Sequence, residues 1–254
     1  MKKLSLIALA LLMSVASAMA GDIKVVAHRG YWKTAGSAQN SIRALVKADS
    51  IGCYGSEFDV WLTADNKLVV NHDNSIGGFV IETSKASDVL RQKLSNGEHV
   101  PTLDAYLAAA KKLKTRLVFE LKPHKDKAHE LKAVKMVLAR VKKFGLEDRV
   151  DYITFSRNAF VAFCRQVPKG TPVYYLNGDL SPEDIKKLGG AGADYHIDVF
   201  RKQHPDWIKK LHDLGLKVNI WTVNKPADLQ WCIDNGADFI TTNEPELLQK
   251  MLKK

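Results

Sequence analysis

Short apolar runs alternate with amphipathic helical patterns along most of the chain, as they do in α/β proteins. Eight of the runs are predicted to be buried strands: Ile23–Ala27, Ser56–Val60, Arg116–Leu121, Tyr152–Phe155, Pro172–Leu176, Ala193–Ile197, Lys217–Trp221 and Asp238–Thr241. A helical pattern follows each of these runs sooner or later along the chain. The order strand, helix, strand, helix favours a parallel sheet, because each helix returns the chain to the start of the next strand.

The helices are recognised by apolar residues at helical spacing and by their capping residues. After the first strand, Ile42, Leu45 and Val46 fall on one side of a helix that Asn40 can cap. Ser181-Pro182 begins another helix, since serine is a good N-cap and proline suits the first turn. The other predicted helices are Thr102–Leu113, Ala128–Phe144, Asn158–Gln166, Pro205–Leu214, Pro226–Asn235 and Pro245–Leu252.

Eight strand–helix units predict an α/β fold of the (β/α)8 TIM barrel type, and 254 residues are enough for one. A further apolar run, Lys67–His72, comes only about seven residues after Val60, which is too soon for a parallel crossover. Asp65-Asn66 supplies a turn, so this run should fold back as a hairpin arm. We therefore expect a small insertion after the second strand, at about residues 61–101, over the C-terminal face where barrel enzymes keep their active sites.

The first twenty residues have the pattern of a secretory signal peptide. Lys2 and Lys3 precede an apolar run, and Ala18-Met19-Ala20 fits the cleavage site. A retained membrane anchor is the alternative, but the apolar run falls short of the ~20 residues that span a bilayer. We expect residues 1–20 to be removed and residues 21–254 to form the barrel domain. The protein would then be exported, to the periplasm or outside the cell, without stable membrane insertion.

The chain is basic, with a formal net charge of +10 that would fall to about +8 on loss of Lys2 and Lys3. A basic exported protein favours anionic substrates or anionic surfaces. The Lys and Arg residues are scattered and form no block of five or six, so they are expected to solvate the surface. This distribution does not indicate a nucleic-acid partner.

Acidic side chains occupy positions in two predicted strands where packing residues would be expected. Glu57 and Asp59 are two residues apart and so share a face of the second strand, and Glu120 and Lys122 share a face at the end of the third. An inward carboxylate costs several kcal/mol unless it is paired or bound to a cation. Three of them suit a hard cation, Mg²⁺ or Ca²⁺, rather than zinc. A salt-bridge network with Lys122 and Arg29 is the alternative.

Two histidines are placed where they could carry protons. His28 ends the first strand, and His72 ends the hairpin arm beside Asp73, which could orient it. Two histidines beside a metal and basic residues suit phosphodiester cleavage, in which one accepts a proton from the nucleophile and the other protonates the leaving group. The metal and Arg29 would stabilise the negative phosphoryl oxygens.

Six stretches, in chain order, resemble the motifs of glycerophosphodiester phosphodiesterases: VVAHRG, GSEFDVWLTADNKLVVNHD, VPTLDAYL, LVFELKP, NIWTVN and GADFITTNEP. They extend over almost the whole of residues 21–254. The resemblance implies a TIM barrel with a small insertion, a divalent metal (Ca²⁺ or Mg²⁺) and a small-molecule glycerophosphodiester substrate. The implied reaction is metal-dependent hydrolysis to glycerol 3-phosphate and an alcohol such as choline, ethanolamine or inositol.

The resemblance also assigns roles, motif by motif. It makes His28 and His72 the acid/base pair, Arg29 and Lys122 the phosphate-binding residues, Trp221 the wall on the glycerol side, and Glu57, Asp59 and Glu120 the metal ligands. In the family, the glycerol hydroxyl next to the phosphate can act as nucleophile, giving a cyclic phosphate that water then opens.

The chain departs from the family pattern at two positions. The family often has Pro-Glu-Asn-Thr shortly after the HRG motif, where this chain has Ala38-Gln39-Asn40-Ser41. Gln39 lacks the charge of the usual glutamate, which leaves open whether this position supplies a fourth metal ligand. Asn243 stands where the last motif usually has aspartate.

Two other functions are compatible with the same motifs. A related barrel lyase acting on sphingo- or lysophospholipids would need an apolar groove for the acyl chain. A phosphodiester-binding protein without turnover would not need both His28 and His72. Among the other polar residues, His196 and Asp198 could line the pocket, and we expect the remaining histidines on the surface: His99, His124, His129, His204 and His212.

Overall fold

The computed structural model describes residues 23–253. The predicted signal peptide, residues 1–20, lies outside the described residues. The strands in chain order are β1 (Lys24–Ala27), β2 (Gly55–Leu62), β3 (Leu68–Val70), β4 (Ser75–Ile76), β5 (Phe79–Val80), β6 (Arg116–Leu121), β7 (Val150–Thr154), β8 (Val173–Tyr175), β9 (Gly192–His196), β10 (Lys217–Trp221) and β11 (Phe239–Thr242). The helices are α1 (Ile42–Ser50), α2 (Ala86–Leu90), α3 (Leu103–Ala110), α4 (Lys127–Phe144), α5 (Arg157–Gln166), α6 (Pro182–Leu188), α7 (Trp207–Asp213), α8 (Pro226–Asp234) and α9 (Pro245–Leu252).

Eight parallel strands close into a barrel, which confirms the TIM barrel prediction. Going round the barrel, the order is β1, β2, β6, β7, β8, β9, β10 and β11, and β11 pairs with β1. The observed strands match the eight predicted runs to within about two residues at each end. None of the helices within residues 23–253 is both long and apolar enough to cross a membrane.

The insertion after β2 begins with an antiparallel arm. β3 folds back on β2 with Trp61 opposite Val69, as the short spacing and the turn at Asp65-Asn66 predicted. The hairpin of β4 and β5 and the short helix α2 follow. Trp61, Val69, Ile81, Val89 and Val100 form a small core of their own. The insertion is therefore packed onto the C-terminal end of β2 and carries His72 with it.

Two apolar layers hold the barrel. The larger lies between the strands and the surrounding helices and buries residues such as Phe58, Phe119 and Tyr152. The smaller fills the barrel interior with Val26, Val118, Ile153, Tyr174 and Leu176. Inward polar residues at the C-terminal end therefore stand on an apolar floor, which raises the cost of burying any charge there.

Candidate active site

The carboxyl ends of the barrel strands surround a cavity of about 90 Å³, called here the inner cavity. Seven of the eight residues singled out from the sequence line it: His28, Arg29, Glu57, His72, Glu120, Lys122 and Trp221. The eighth, Asp59, is 1% exposed and lies within ion-pair distance of Lys122 and Arg29. Ile153, Phe155, Leu176, Asp194, Thr222 and Thr241 complete the lining. The fold thus brings the predicted residues together, while their roles stay predictions.

The chain turns sharply after β1 at Arg29 and Gly30, which have φ angles of 56° and 74°. A Cβ on Gly30 would lie 2.7 Å from the carbonyl carbon of Ala44, so glycine alone fits at this position. A positive φ is uncommon for arginine and costs about 1–3 kcal/mol. In this conformation the backbone N–H of Arg29 donates to Glu57 Oε2 at 2.7 Å. The strained turn therefore orients a carboxylate with its backbone as well as supplying a guanidinium.

Asn40 positions Asp59, a role that the sequence analysis missed. Its Nδ2 donates to Asp59 Oδ2 at 2.8 Å, and its Oδ1 accepts from the Asp59 backbone N–H at 3.1 Å. Its expected role as a helix cap was wrong, because Ser41 caps α1 by accepting from Ala44 N–H. Asn40 has a φ of 60°, which asparagine tolerates better than most residues, and its side chain is directed to β2 instead.

Glu57, Asp59 and Glu120 form a tight carboxylate cluster whose ligand oxygens all lie within 4.8 Å of one another. Lys122 Nζ forms ion pairs with two of these carboxylates, at 3.2 Å from Asp59 Oδ1 and 2.7 Å from Glu120 Oε1. Arg29 Nε is 4.0 Å from Asp59 Oδ2. The alternative salt-bridge network is therefore present in part, but two cations face three carboxylates.

Glu57 Oε1 is buried without a hydrogen-bond partner among residues 23–253, and the buried Glu120 Oε1 contacts Lys122 Nζ. Burial, with the neighbouring carboxylates, raises the pKa of Glu57 well above its usual range and that of Glu120 to about 8. Burial acts in the same direction on Asp59, but Lys122 and the other polar neighbours lower its pKa overall. Three buried carboxylates at this spacing, one with an unpartnered oxygen, fit a hard divalent cation.

The proton on His28 is fixed by its neighbours. Asn243 Oδ1 lies 2.9 Å from His28 Nδ1 and also accepts from Trp32 Nε1 at 2.9 Å. An indole N–H can only donate, so the Asn243 oxygen is an acceptor and His28 Nδ1 must carry the hydrogen. Nε2, which is 4.0 Å from Glu57 Oε2, then has a free lone pair. Burial, helped by Arg29, lowers the pKa of His28 to about 4.

His72 comes from the hairpin arm and is held by different contacts. Its Nδ1 lies 2.7 Å from Asp73 Oδ1, and its backbone carbonyl accepts from Trp61 Nε1 at 3.3 Å. Its side chain is 34% exposed, against 17% for His28. Burial lowers the pKa of His72, whereas the Asp59 and Asp73 carboxylates act to raise it. The two histidines therefore differ in depth and in the group that orients them.

His72 also lines a second cavity of about 260 Å³, the outer cavity, between the loop after β1 and the insertion. Seven of its eleven lining residues are polar: Gln39, Asn40, Asn71, His72, Asp73, Lys93 and Ser95. Trp32, Ala38, Ile76 and Leu94 supply the apolar part. Gln39 Oε1 accepts from Arg29 Nη1 at 2.5 Å, so this side chain supports the guanidinium.

The opposite wall of the inner cavity is apolar. Phe155 packs against Trp221 with ring centroids 5.4 Å apart, and Trp221 Nε1 donates to the backbone carbonyl of Asp194 at 2.8 Å. Among the described residues the lining includes Asp194 of β9, but not His196 or Asp198. The sequence signal for Asp194 was an acid inside an otherwise buried strand, two residues before His196 and on the same face.

His124 contradicts the expectation of a surface histidine, since only 9% of it is exposed. Its Nδ1 lies 2.7 Å from the Lys122 carbonyl oxygen, and its Nε2 accepts from the Leu62 N–H at 3.0 Å. A neutral ring is needed to do both, and burial lowers the pKa of His124 to about 4. The imidazole thereby connects Leu62, the last residue of β2, to Lys122, the residue that follows β6.

Comparison with known proteins connects this geometry to a family. The model of the Glycerophosphoryl diester phosphodiesterase family matches residues 28–247. A protein named glycerophosphodiester phosphodiesterase from Caldanaerobacter subterraneus is 27% identical, over 91% of this chain and 98% of that protein.

Solved structures with the same fold carry related names. The crystal structure of a glycerophosphodiester phosphodiesterase from Parabacteroides distasonis is 52% identical, covers 91% of this chain and 97% of that one, and superposes with a TM-score of 0.89. An Oleispira antarctica phosphodiesterase, solved in complex with the product sn-glycerol-3-phosphate, is 22% identical with a TM-score of 0.77 over 91% of this chain and 97% of that one. At that identity the second likeness concerns the fold.

Proposed function

Because the chain belongs to the glycerophosphoryl diester phosphodiesterase family, we propose that it hydrolyses glycerophosphodiesters to glycerol 3-phosphate and an alcohol, by metal-dependent acid/base catalysis. One observation carries the proposal more than any other. Two histidines with different orienting groups face the same small cavity, beside two cations and a carboxylate cluster. A binding protein would need the cations but not the pair of histidines.

Arg29 and Lys122 would bind the phosphate. Both line the inner cavity, and Arg29 Nε is buried there without a hydrogen-bond partner among the described residues. A buried guanidinium N–H that makes no hydrogen bond is suited to a phosphoryl oxygen, since charge-assisted hydrogen bonds to phosphate are strong. Gln39 would keep the guanidinium in place without neutralising it.

His28 would act as the base and His72 as the acid. His28 is neutral, deep and has a free Nε2, so it can accept the proton of a glycerol hydroxyl in the inner cavity. His72 lies between the two cavities, and Asp73 supports its protonated form. It can therefore donate a proton to the oxygen of an alcohol that leaves through the outer cavity.

Glu57, Asp59 and Glu120 would hold a divalent cation, Ca²⁺ or Mg²⁺. The unpartnered Glu57 Oε1 and the spacing of the three carboxylates support this assignment. Such a cation would supply electrostatic stabilisation of the negative phosphoryl oxygens when bound. The polar lining of the outer cavity favours a polar head group over an acyl chain, and so supports a glycerophosphodiesterase over the lyase.

We further propose export, on the signal-peptide pattern of residues 1–20, followed by action on small soluble diesters.

The direct test is a product assay. The purified protein, supplied with Ca²⁺ or Mg²⁺, is incubated with glycerophosphocholine, glycerophosphoethanolamine and glycerophosphoinositol, and glycerol 3-phosphate is measured by an enzyme-coupled assay. We expect release from at least one diester and none from the double variant His28→Ala/His72→Ala. A folded, metal-supplied protein that releases no glycerol 3-phosphate from any of them would exclude the proposed function.

A further inference from the structure

Asp194 is a buried carboxyl of the inner cavity that the proposed steps leave without a role. It is 1% exposed, and its Oδ1 has no hydrogen-bond partner in the described part of the chain. Asn219, its register partner on β10, lies beside this carboxyl, and its Nδ2 donates to Thr241 Oγ1 at 3.0 Å. Buried carboxyl oxygens without a partner are rare in folded proteins, and one that lines a cavity indicates a ligand atom.

The carboxyl of Asp194 stands apart from the metal cluster. The group of mutually close ligand atoms comprises Glu57, Asp59 and Glu120. Burial, with the Glu120 carboxylate as a like-charged neighbour, raises the pKa of Asp194 well above its usual range. In either protonation state, the unpartnered Oδ1 can accept a hydrogen bond from a hydroxyl group of a ligand.

The substrate proposed above brings a hydroxyl that needs such a partner. The glycerol half of the diester has one hydroxyl next to the phosphate-bearing carbon and one at its far end. The first is the candidate for deprotonation by His28, and the second has no part in the reaction. Much of the cavity wall around it would be apolar, from Ile153, Phe155 and Leu176, and would leave that hydroxyl unpaired.

We propose that Asp194 hydrogen-bonds the terminal hydroxyl of the glycerol half and thereby selects a glycerol ester over the corresponding propane-1,2-diol ester. The backbone of Asp194 is fixed from its other side, because its carbonyl oxygen accepts from Trp221 Nε1. Trp221 and Asp194 would then form one unit, with the indole beside the carbon chain and the carboxyl at its polar end. This inference rests on the proposed function and adds a specificity-determining residue to it.

The test compares two diesters that differ by one hydroxyl. Wild-type protein is assayed on a glycerol phosphodiester and on the corresponding propane-1,2-diol 1-phosphodiester, which lacks the terminal hydroxyl but keeps the hydroxyl next to the phosphate-bearing carbon. We expect kcat/KM to be at least about tenfold higher for the glycerol ester, because a site built for a hydroxyl rejects the analogue that lacks it. Asp194→Leu should remove this preference by losing activity on the glycerol ester alone, and Asp194→Asn should keep much of it.

Asp151→Asn is the matched control, because Asp151 is also buried but pairs with Arg116 at the amino-terminal end of its strand. It should leave the preference unchanged. Equal loss on both esters in Asp194→Leu, or an unchanged preference, would overturn the inference while hydrolysis by wild type would uphold the proposed function. If neither ester were hydrolysed by wild type, the proposed function itself would be wrong, and the inference with it.

A second measurement needs no variant and so does not depend on folding. Glycerol 3-phosphate and propane-1,2-diol 1-phosphate are compared as inhibitors of the wild-type protein. The inference requires the inhibition constant of glycerol 3-phosphate to be at least about tenfold lower than that of propane-1,2-diol 1-phosphate. Equal inhibition constants would overturn it.

Discussion

At the scale of single residues, His28 and His72 have different hydrogen-bond partners, as the two roles proposed for them require. Asn243 keeps the proton of His28 on Nδ1, whereas Asp73 faces Nδ1 of His72 with a carboxylate. Neither Asn243 nor Asp73 touches the carboxylate cluster in the contacts described above. The identity of the partner, more than the imidazole itself, decides which proton each ring can give or take.

The assignment of base and acid predicts a difference between two substrates. His28→Ala and His72→Ala should each lower kcat on a natural diester by roughly 10²–10⁴-fold, the usual contribution of one proton carrier. A nitrophenyl ester of glycerol phosphate hardly needs a proton donor, so it should restore much of the rate of His72→Ala but not of His28→Ala. Rescue of His28→Ala instead would reverse the assignment, and wild-type rates in both folded variants would remove the catalytic roles. Asp73→Asn is the control variant, because it keeps the imidazole of His72 and changes only the carboxylate that faces its Nδ1.

Gln39 gives a prediction of the opposite kind, a change with little effect. Gln39→Glu keeps the length of the side chain and its acceptor toward Arg29, so catalysis should change by less than about tenfold. Metal affinity should stay level or rise, because a negative charge is added near the carboxylate cluster. Steady-state kinetics and a Ca²⁺ titration would measure both. A collapse of activity would mean that the site depends on the neutral amide.

At the scale of elements, the sequence predicted the alternation of strands and helices well because each barrel strand is a short apolar run between turns. The arm at β3 was predictable from the spacing after Val60 alone. Asn40 and His124 were misjudged, since their partners, Asp59 and Leu62, are distant in the chain and no local pattern reveals such contacts. Asp194 was not predicted to line the site, because His196 lies on the same face of β9 and the sequence alone does not show which of the two reaches the cavity.

The link between β2 and β6 through His124 is a structural element whose loss can be measured. His124→Ala leaves the Leu62 N–H without its partner, which should lower the free energy of unfolding by about 1–3 kcal/mol. Chemical denaturation would measure the change. His99→Ala, at an exposed histidine of the insertion, is the control and should be nearly neutral.

The same residue predicts sensitivity to acid. The pKa of His124 is about 4 in the folded protein against 6.5 for a free histidine, so the unfolded chain binds the proton more readily. The stability that His124 contributes is therefore complete above pH 6.5 and is lost as the pH falls toward 4. The difference in unfolding free energy between wild type and His124→Gln should shrink over this range. A constant difference would contradict the role of the neutral ring.

At the scale of the whole molecule, the proposed metal site predicts that the stability of the protein depends on metal and on pH together. In metal-free protein the pKa of Glu120 is raised from 4.5 to about 8, so the folded state holds a proton that the unfolded state loses. The stability of metal-free wild type relative to Glu120→Gln should therefore fall as the pH rises from about 4.5 to about 8, by on the order of a few kcal/mol.

Adding Ca²⁺ or Mg²⁺ should reverse this loss at high pH, because the ligands bind metal in their deprotonated form. Thermal melts at both ends of the pH range, with and without chelator, would measure the effect without any activity assay. A melting temperature of wild type that is unaffected by chelator and by Ca²⁺ and Mg²⁺ at pH 8 would contradict the assignment of Glu57, Asp59 and Glu120.

The position of His72 between the two cavities also implies an order of events in time. On the roles proposed above, the alcohol would leave through the outer cavity while the phosphorylated half still occupied the inner cavity, against Trp221. The phosphorylated product would then depart last, and its escape could limit turnover. Under that order, glycerol 3-phosphate should compete with the substrate for free enzyme, whereas the alcohol should inhibit only weakly and noncompetitively. Product-inhibition patterns would therefore show the order in which the two products leave the active site.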